Sequence, residues 1–385
     1  MAVTSQAVDV TAVAAGDERH RAPAWREVLV AVGPPWLAAR AAVVAAYVLA
    51  RVAVDQLGVA RPAPLVDGLM AWDAHHYRTI AEQGYDALPH GYRFFPLFPL
   101  LVRGLSTLTG NGTVAALLLG NAAALVLGVA LYRLVIAETG DPAVGRLATW
   151  LLLAGPAAAP LVMGYAETLG AAASVLSFLA ARQGRWWWAA AGAAVVGATW
   201  SIGWVLAVPL AVEAGSGLAR SDLRSRLARL TAVTAPVAVA GLCLGWVEVA
   251  TGNGWANVVA VQSEVYDRTL VDPFTALYRA GSDLFVGHHA SGVPFPWAIL
   301  TIGLTVVALR RLPLSYGIYA AVLIVVAISS DNIDSFERYV LRAFPLAIVG
   351  AMLLKVEWQQ RLAVAVGLGG LVVYATAIFL GAKVP

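Results

Sequence analysis

The residues best suited to joint chemistry lie in one polar stretch, Trp72–Tyr85. Residues three and four apart face the same side of a helix, so Asp73, His76 and Tyr77 would line one face of a short amphipathic helix. Gly84 is a typical residue at the end of such a helix. An ionised carboxylate on this face can take up a proton from a reacting hydroxyl. A Trp-Asp pair by itself, however, is more often a membrane-interface anchor beside a solvated acid.

Three further ionisable residues interrupt apolar sequence. Glu167 lies within one apolar stretch, and Arg338 and Arg342 stand four residues apart at the start of another. A charge within a membrane segment is costly, so each of the three is a candidate functional residue. The structural alternative for Glu167 is a cap or an ion pair within the fold. Arg338 could instead reach the membrane interface or pair with Glu337 or Asp334.

Membrane helices must position these residues. Of the 385 residues, 60% are hydrophobic and 13% are charged, whereas soluble domains carry about 25% charged residues. Several apolar runs reach the roughly 17 to 25 residues that a helix needs to cross the hydrocarbon core. We therefore predict an all-α polytopic membrane protein with about eleven transmembrane helices, at residues 29–54, 94–110, 113–136, 144–162, 165–181, 186–213, 230–250, 293–310, 313–330, 336–354 and 361–382.

Two of these runs leave the topology open. Residues 94–110 contain Pro96 and Pro99, so this run either crosses the membrane or dips into its outer face. Residues 186–213 form either one long span or two short halves that are broken near Ser201.

The distribution of basic residues orients the chain. Arginines concentrate between residues 214 and 229, and further basic residues follow spans at Arg310 and Lys355. Cytoplasmic loops carry an excess of Lys and Arg, so these turns are predicted to be cytoplasmic. The two long loops, 55–93 and 252–292, then lie outside.

The chain divides simply. Residues 1–28 are predicted to form a disordered cytoplasmic tail without a cleaved signal peptide. Residues 29–385 are predicted to form a single transmembrane domain, because no internal repeat or linker interrupts them. In the second outer loop, Asp272 and Pro273 are typical of a helix N-cap and first helical position, which predicts a short surface helix that ends near Ala280.

Three motifs follow one another in the first outer loop: Trp-Asp-Ala-His-His-Tyr (72–77), Ile-Ala-Glu-Gln-Gly-Tyr (80–85) and Phe-Phe-Pro-Leu-Phe-Pro-Leu (94–100). In this order they resemble the first lumenal loop of the PIG-V family of mannosyltransferases, which is also present in bacteria. Two later segments resemble further family motifs. These are Gly-Tyr-Ala-Glu-Thr-Leu (164–169) and Arg-Tyr-Val-Leu-Arg-Ala-Phe-Pro-Leu (338–346).

The resemblance implies a GT-C type glycosyltransferase fold in a bacterial cell membrane. It also implies inverting transfer of mannose from polyprenyl-phosphate mannose to an acceptor hydroxyl on the extracytoplasmic face. By its place in the motif, Asp73 is the implied general base. The departing phosphate gains negative charge, for which Arg338, Arg342 and His76 are candidate partners. The remaining candidate substrate contacts are Trp72, Tyr77, Arg93, Tyr165 and Glu167.

The acceptor and the metal dependence stay open. Thr-Trp-Ser-Ile-Gly (199–203) stands where the family tends to have an Arg-Ser-Asn-Gly-like element, and this departure puts the acceptor in question. No cofactor is expected, and no metal is predicted because the chain shows no clear cluster of outer carboxylates. His288 and His289 are interpreted as a solvated loop pair.

Two other functions compete with this interpretation. The same chemistry could use another lipid-linked sugar, since no residue can be tied to a mannose hydroxyl. A transporter or flippase is the second alternative, although transporters commonly show internal repeats and none is visible here. Nucleic-acid binding is disfavoured, because the basic residues are scattered at the ends of apolar runs.

Overall fold

The fold is described from a computed structural model that covers residues 24–58, 61–254, 256, 258, 269–286, 292, 294–330, 333 and 335–382. Over these residues the regular structure is helical, apart from an isolated bridge between Leu270 and Ser330. The α-helices are α1 (Trp25–Leu57), α2 (Leu65–Leu69), α3 (Asp73–Gln83), α4 (Leu97–Thr109), α5 (Gly112–Thr139), α6 (Pro142–Leu153), α7 (Ala166–Arg182), α8 (Trp186–Thr199), α9 (Ala207–Gly215), α10 (Leu223–Thr251), α11 (Pro273–Val286), α12 (Pro294–Arg311), α13 (Leu314–Ala327), α14 (Phe336–Leu341), α15 (Pro345–Leu353) and α16 (Glu357–Phe379). Short 3-10 turns lie at Tyr85–Ala87, Gly91–Arg93, Ala159–Leu161, Gly203–Leu206 and Leu218–Arg220.

Four helices among the described residues are long and apolar enough to cross a membrane. They are α1, α5, α10 and α16, and shorter apolar helices include α4, α6 and α13. The chain is therefore a multi-pass membrane protein, but the predicted count of about eleven spans is not confirmed.

Three predicted spans are interrupted. The run 144–162 leaves the helix after Leu153, and the run 186–213 breaks between Thr199 and Gly203, which agrees with the two-halves alternative. The run 336–354 is divided into α14 and α15. Pro345 lies at the first turn of α15, a position that proline favours because its missing N–H has no helical partner there. Hydropathy alone does not detect such a restart within an apolar run.

The first helix begins earlier than predicted. The structure places residues 25–28 in α1 instead of the predicted tail, and residues 1–23 lie outside the described part of the chain. Tertiary contacts explain the longer helix: the Tyr132 hydroxyl donates to Glu27 at 2.9 Å, and the Arg133 guanidinium lies 4.5 Å from the ring centre of Trp25.

The predicted helix cap at Asp272 forms. The Asp272 carboxylate accepts hydrogen bonds from the backbone N–H groups of Phe274 and Thr275, at 3.1 and 3.0 Å. The helix continues to Val286, beyond the predicted end near Ala280, and runs through Gly281, which is buried beside the Phe295 ring. The predicted loop pair His288 and His289 lies outside the described residues.

Helix α7 carries the candidate functional residue Glu167. It packs between α5 and α8, and its interior face is rich in alanine and glycine, which lets neighbouring backbones approach closely. Its far end is held by Arg182, whose guanidinium binds both carboxylate oxygens of Glu138 on α5, at 2.6 and 3.1 Å. Its first turn carries Glu167 toward α14.

Candidate active site

Helix α3 forms in the stretch where the sequence predicts a short amphipathic helix, and it ends at the predicted glycine. It begins at Asp73, and Gly84 ends it with a φ of 93°, a conformation that suits glycine. Trp72, immediately before the helix, has a φ of 58° although it carries a side chain. Such a backbone costs on the order of 1–3 kcal/mol and is concentrated at functional sites. The strained residue stands next to the carboxylate predicted to be the base.

Charged side chains from distant parts of the chain meet at Asp73. Arg338 contacts the Asp73 carboxylate at 2.5 Å, across 265 residues of sequence, and Arg93 contacts its other oxygen at 3.7 Å. Arg338 also lies 3.5 Å from Glu167, and Arg342 binds the same oxygen of Glu167 at 2.9 Å. We call these five residues the ion cluster. Arg338 therefore pairs with Asp73 and Glu167. Asp334, one of the alternative partners that the sequence offers for Arg338, lies outside the described residues.

The ion cluster is shielded from solvent but open at Asp73. The side chain of Glu167 is 3% exposed, whereas that of Asp73 is 20% exposed. Within the ion cluster, two carboxylates face three guanidinium groups. A shielded site of this kind favours a ligand with negative charge.

The neighbours of Asp73 on α3 have different surroundings. His76 lies 4.0 Å from the Asp73 carboxylate and stacks on the ring of Phe94. Burial lowers the pKa of His76 more than the nearby Asp73 raises it, so the imidazole is neutral near pH 7. Tyr77 is buried, with its ring against Phe94 and Phe98. A packing role is thus visible for Tyr77, and its contact with substrate stays a prediction.

Several buried polar atoms around the ion cluster have no hydrogen-bond partner among the described residues. They are the Tyr165 hydroxyl, Glu167 Oε2, Trp200 Nε1, His76 Nδ1, and the Nε atoms of Arg338 and Arg342. Buried polar groups are normally hydrogen-bonded, and unsatisfied ones call for an explanation. Four of these atoms are N–H or O–H donors, which matches the donor-rich character of an anion site.

Trp200 is a site neighbour that sequence reasoning did not select. The Arg342 guanidinium lies 4.4 Å from the Trp200 ring centre and 5.0 Å from that of Tyr339, so two aromatic faces hold it by cation–π contacts. Trp200 occupies the break after α8, within the element that departs from the family motif. Its indole lies against Gly170, where an added Cβ would be 2.3 Å from the ring.

Gly170→Ala is therefore expected to displace Trp200 from Arg342 and to lower the free energy of unfolding by about 1–3 kcal/mol, the usual cost of overpacking. Thermal unfolding of purified protein in detergent measures the change. Gly104→Ala on α4 is the matched control, because a Cβ there meets no atom within 4 Å; alanine should be neutral or stabilise that helix by up to about 1 kcal/mol. Equal unfolding temperatures for the two variants would contradict the close packing of Trp200.

An apolar cavity of about 900 Å³ lies behind α14. Its walls come from α6, α12, α15 and α16, and include Trp297, Leu300 and Leu304. Glu337 and Val340 of α14 also line it. Arg338 lies between these two residues in sequence, so one short helix borders both the cavity and the ion cluster.

Residues 59–220 match the family model described as Mannosyltransferase (PIG-V). The resemblance to the PIG-V family, which the motifs between residues 72 and 100 indicated, is confirmed. The matched residues include Asp73, Arg93 and Glu167 of the ion cluster, whereas Arg338 and Arg342 lie beyond them.

Known mannosyltransferases also match part of this chain. The GPI alpha-1,6-mannosyltransferase 2 of Rattus norvegicus is 36% identical over 126 residues, which are 30% of this chain and 25% of that protein. The protein of the same name from Cricetulus griseus is 35% identical over 115 residues, which are 27% of this chain and 23% of that protein. The match thus spans about a quarter of the length of these relatives.

Solved structures support the fold. ArnT from Cupriavidus metallidurans bound to undecaprenyl phosphate aligns with a TM-score of 0.51 and 17% identity, over 88% of this chain and 76% of that chain. The apo structure of ArnT aligns with a TM-score of 0.52 and 15% identity, over 84% and 72% of the two chains. The predicted GT-C type of fold is therefore supported, independently of the number of spans.

Proposed function

We propose that the protein is an inverting membrane glycosyltransferase that moves mannose from polyprenyl-phosphate mannose to an acceptor hydroxyl, with Asp73 as the general base. The observation that carries this proposal is the meeting of Asp73 with Arg93 and Arg338 at the partly open edge of a shielded cluster that holds three guanidinium groups. The match to the PIG-V mannosyltransferases over the residues that contain Asp73 favours a sugar transfer reaction at this site.

The proton step fits the surroundings of Asp73. Burial raises the pKa of this carboxyl, but Arg338 and Arg93 lower it by more, so the net pKa is below the ordinary value and the group is ionised at neutral pH. As the acceptor oxygen bonds to the anomeric carbon of the donor, its proton passes to Asp73. The bond from that carbon to the phosphate oxygen breaks, and its electron pair leaves with the polyprenyl phosphate.

The charge of the ion cluster suits the leaving group. A polyprenyl-phosphate sugar is a phosphodiester with one negative charge, and the phosphate gains charge as the sugar leaves. Arg338 and Arg342 are the cations placed to bind it, with the Tyr165 hydroxyl as a neutral donor. When Arg338 turns to the phosphate, its hold on Asp73 weakens and the pKa of Asp73 rises, which makes the carboxylate a stronger base.

The apolar cavity is the proposed place for the lipid part of the donor. It is lined by hydrophobic side chains and shares α14 with the ion cluster, so a lipid phosphate at Arg338 could extend its chain into it. The bound undecaprenyl phosphate of ArnT supports a polyprenyl donor for this fold. The proposed location is the bacterial cell membrane, with the site on the extracytoplasmic face, as the basic turns predict. Divalent metal is not required by this chemistry.

The direct test is transfer of labelled mannose from a polyprenyl-phosphate donor to hydroxyl acceptors by purified protein in detergent or nanodiscs. The nucleotide-linked sugar, GDP-mannose, serves as the donor control and should give no product. If the protein transfers glucose from polyprenyl-phosphate glucose and does not transfer mannose, the proposed reaction type stands but the proposed donor sugar is wrong. No transfer from any polyprenyl-phosphate donor, with folded protein and a range of acceptors, would contradict the proposal.

Removal of Arg93 is expected to move the acid limb of the kcat/KM profile to higher pH. Transfer needs ionised Asp73, so the rate is present above the pKa of Asp73 and is lost as the pH falls through it. Arg93 is one of the charges that lower this pKa, and Arg93→Met takes that charge away. Arg78→Met is the control, since Arg78 is on α3 but donates to Thr113. If the acid limbs of Arg93→Met and wild type coincide, Arg93 does not lower the pKa of Asp73.

A further inference from the structure

Arg40 is a charged residue in the middle of the long apolar helix α1. Its guanidinium donates to three oxygens: Asn121 Oδ1 at 2.8 Å, the Trp36 carbonyl at 2.9 Å and the Leu161 carbonyl at 2.9 Å. Its carbon also lies 4.0 Å from the centre of the Trp36 ring. A charge in a membrane helix is costly, so its satisfaction by neutral oxygens requires a structural or functional reason.

Asn121 completes the arrangement from α5. Its side-chain amide donates to the Val162 carbonyl at 3.1 Å and to the Leu117 carbonyl at 2.8 Å. Arg40 and Asn121 therefore bind two consecutive carbonyls, those of Leu161 and Val162. Both carbonyls belong to the connection between α6 and α7, which contains only the short 3-10 turn Ala159–Leu161 and does not satisfy its backbone as a continuous α-helix does.

The connection also lies close to α5 and to Leu69 and Met70, which precede α3. A Cβ on Gly120 would lie 2.9 Å from the Met163 carbonyl, so the helix and the connection touch through backbone. On the other side, the Gly164 N–H donates to the Leu69 carbonyl at 3.3 Å, and Gly164 lies against the Met70 sulfur. One short segment thus links α5 to the turn that precedes Asp73.

Both carboxylates of the ion cluster depend on this segment. Glu167 follows it by a few residues in the first turn of α7, and the Thr168 hydroxyl donates back to the Pro160 carbonyl at 3.3 Å. Asp73 follows Met70 by three residues. A shift of residues 159–165 would therefore change the distance between Asp73 and Glu167, which share Arg338.

We propose that Arg40 and Asn121 are positioning residues for sugar transfer: they fix residues 159–165 so that Asp73 and Glu167 meet the same arginine. Neither side chain touches the ion cluster, and both act through the backbone that they hold. This inference rests on the proposed function for its kinetic consequence, but its structural consequence can be measured without substrate.

The kinetic test compares Asn121→Ala, Arg40→Met and Arg40→Lys in the mannose transfer assay. We expect kcat to fall by roughly 10- to 10²-fold for Asn121→Ala and Arg40→Met, because displacement of reacting groups by about 1 Å has effects of this size. The KM for donor should change less than about threefold, since the phosphate partners remain. Arg40→Lys should retain more activity than Arg40→Met, because an ammonium can still donate to a carbonyl but does not fork between several oxygens.

The structural test is hydrogen–deuterium exchange of the same proteins without substrate. Exchange should rise at residues 159–167 and 69–75, and stay unchanged near Arg182 at the far end of α7. Thr305→Ala is the matched control, because it removes a buried hydrogen bond of 2.8 Å within α12 and touches none of these segments.

Two results would overturn the inference. One is a kcat within twofold of wild type for both Asn121→Ala and Arg40→Met. The other is a uniform rise in exchange that Thr305→Ala reproduces, which would mean general instability. If the wild-type protein transfers no sugar, the proposed function fails, and the local exchange pattern alone decides whether these residues hold the segment.

Discussion

Asp73→Asn is expected to lower kcat for sugar transfer by about 10²- to 10⁴-fold, the usual contribution of a positioned base. Asparagine keeps the shape of the side chain but cannot take up the acceptor proton. The change also raises the net charge of the ion cluster by one unit, so affinity for polyprenyl phosphate should be unchanged or higher. Measurement of kcat together with the Kd for polyprenyl phosphate separates loss of the base from loss of the site.

Asp86→Asn is the matched control for this experiment. Asp86 follows α3 in the same loop and accepts a hydrogen bond from Tyr92 at 2.9 Å, which asparagine can also accept. It is not part of the ion cluster, so its kcat should stay within about twofold of wild type. Wild-type transfer by Asp73→Asn would remove Asp73 from the role of base, and equal losses in both variants would point to damage of the loop as a whole.

The local part of this site was predictable from sequence because it depends on short-range rules. Helical spacing places Asp73, His76 and Tyr77 on one face, and Gly84 ends the helix at the predicted position. The cap at Asp272 follows the same kind of rule. What these rules do not contain is the partner of each side chain, and Arg338 meets Asp73 across 265 residues of sequence.

Arg338 and Arg342 lie close together, but their local structure differs from the predicted one. The sequence predicts one continuous helix that carries both on one face, whereas α14 ends at Leu341 and Arg342 is its C-cap. Both still reach Glu167, because the short helix and its cap face the first turn of α7. Tertiary contacts with a buried carboxylate therefore determined the arrangement more than helix continuity did.

Arg40 and Trp200 were missed for different reasons. Arg40 carried a usable signal, since the rule that marks an ionisable residue in a membrane helix as functional applies to it as it does to Glu167. Trp200 carried no sequence signal of comparable strength, because an aromatic residue in an apolar run is common. Its contact with Arg342 arises only where the break after α8 meets α7 at Gly170.

The second large effect is expected for the buried pair of Arg342 and Glu167. Arg342→Met leaves the Glu167 carboxylate, whose side chain is 3% exposed, with Arg338 at 3.5 Å as its remaining cation among the described residues. Removing one partner of a buried ion pair typically costs about 3–5 kcal/mol. The unfolding temperature in detergent should therefore fall markedly, and sugar transfer should fall with it because a phosphate partner is lost.

The double variant Arg342→Met with Glu167→Leu separates these two losses. It removes both buried charges, so much of the lost stability should return, since apolar replacement of a buried pair is often neutral or stabilising. Transfer should stay low, because methionine cannot bind phosphate. Arg182→Met is the comparison at the other end of α7: it breaks the pair with Glu138 and should lower stability while folded molecules keep their kcat. If the double variant regains transfer along with stability, Arg342 and Glu167 serve the fold alone, and the phosphate must be held by Arg338 without them.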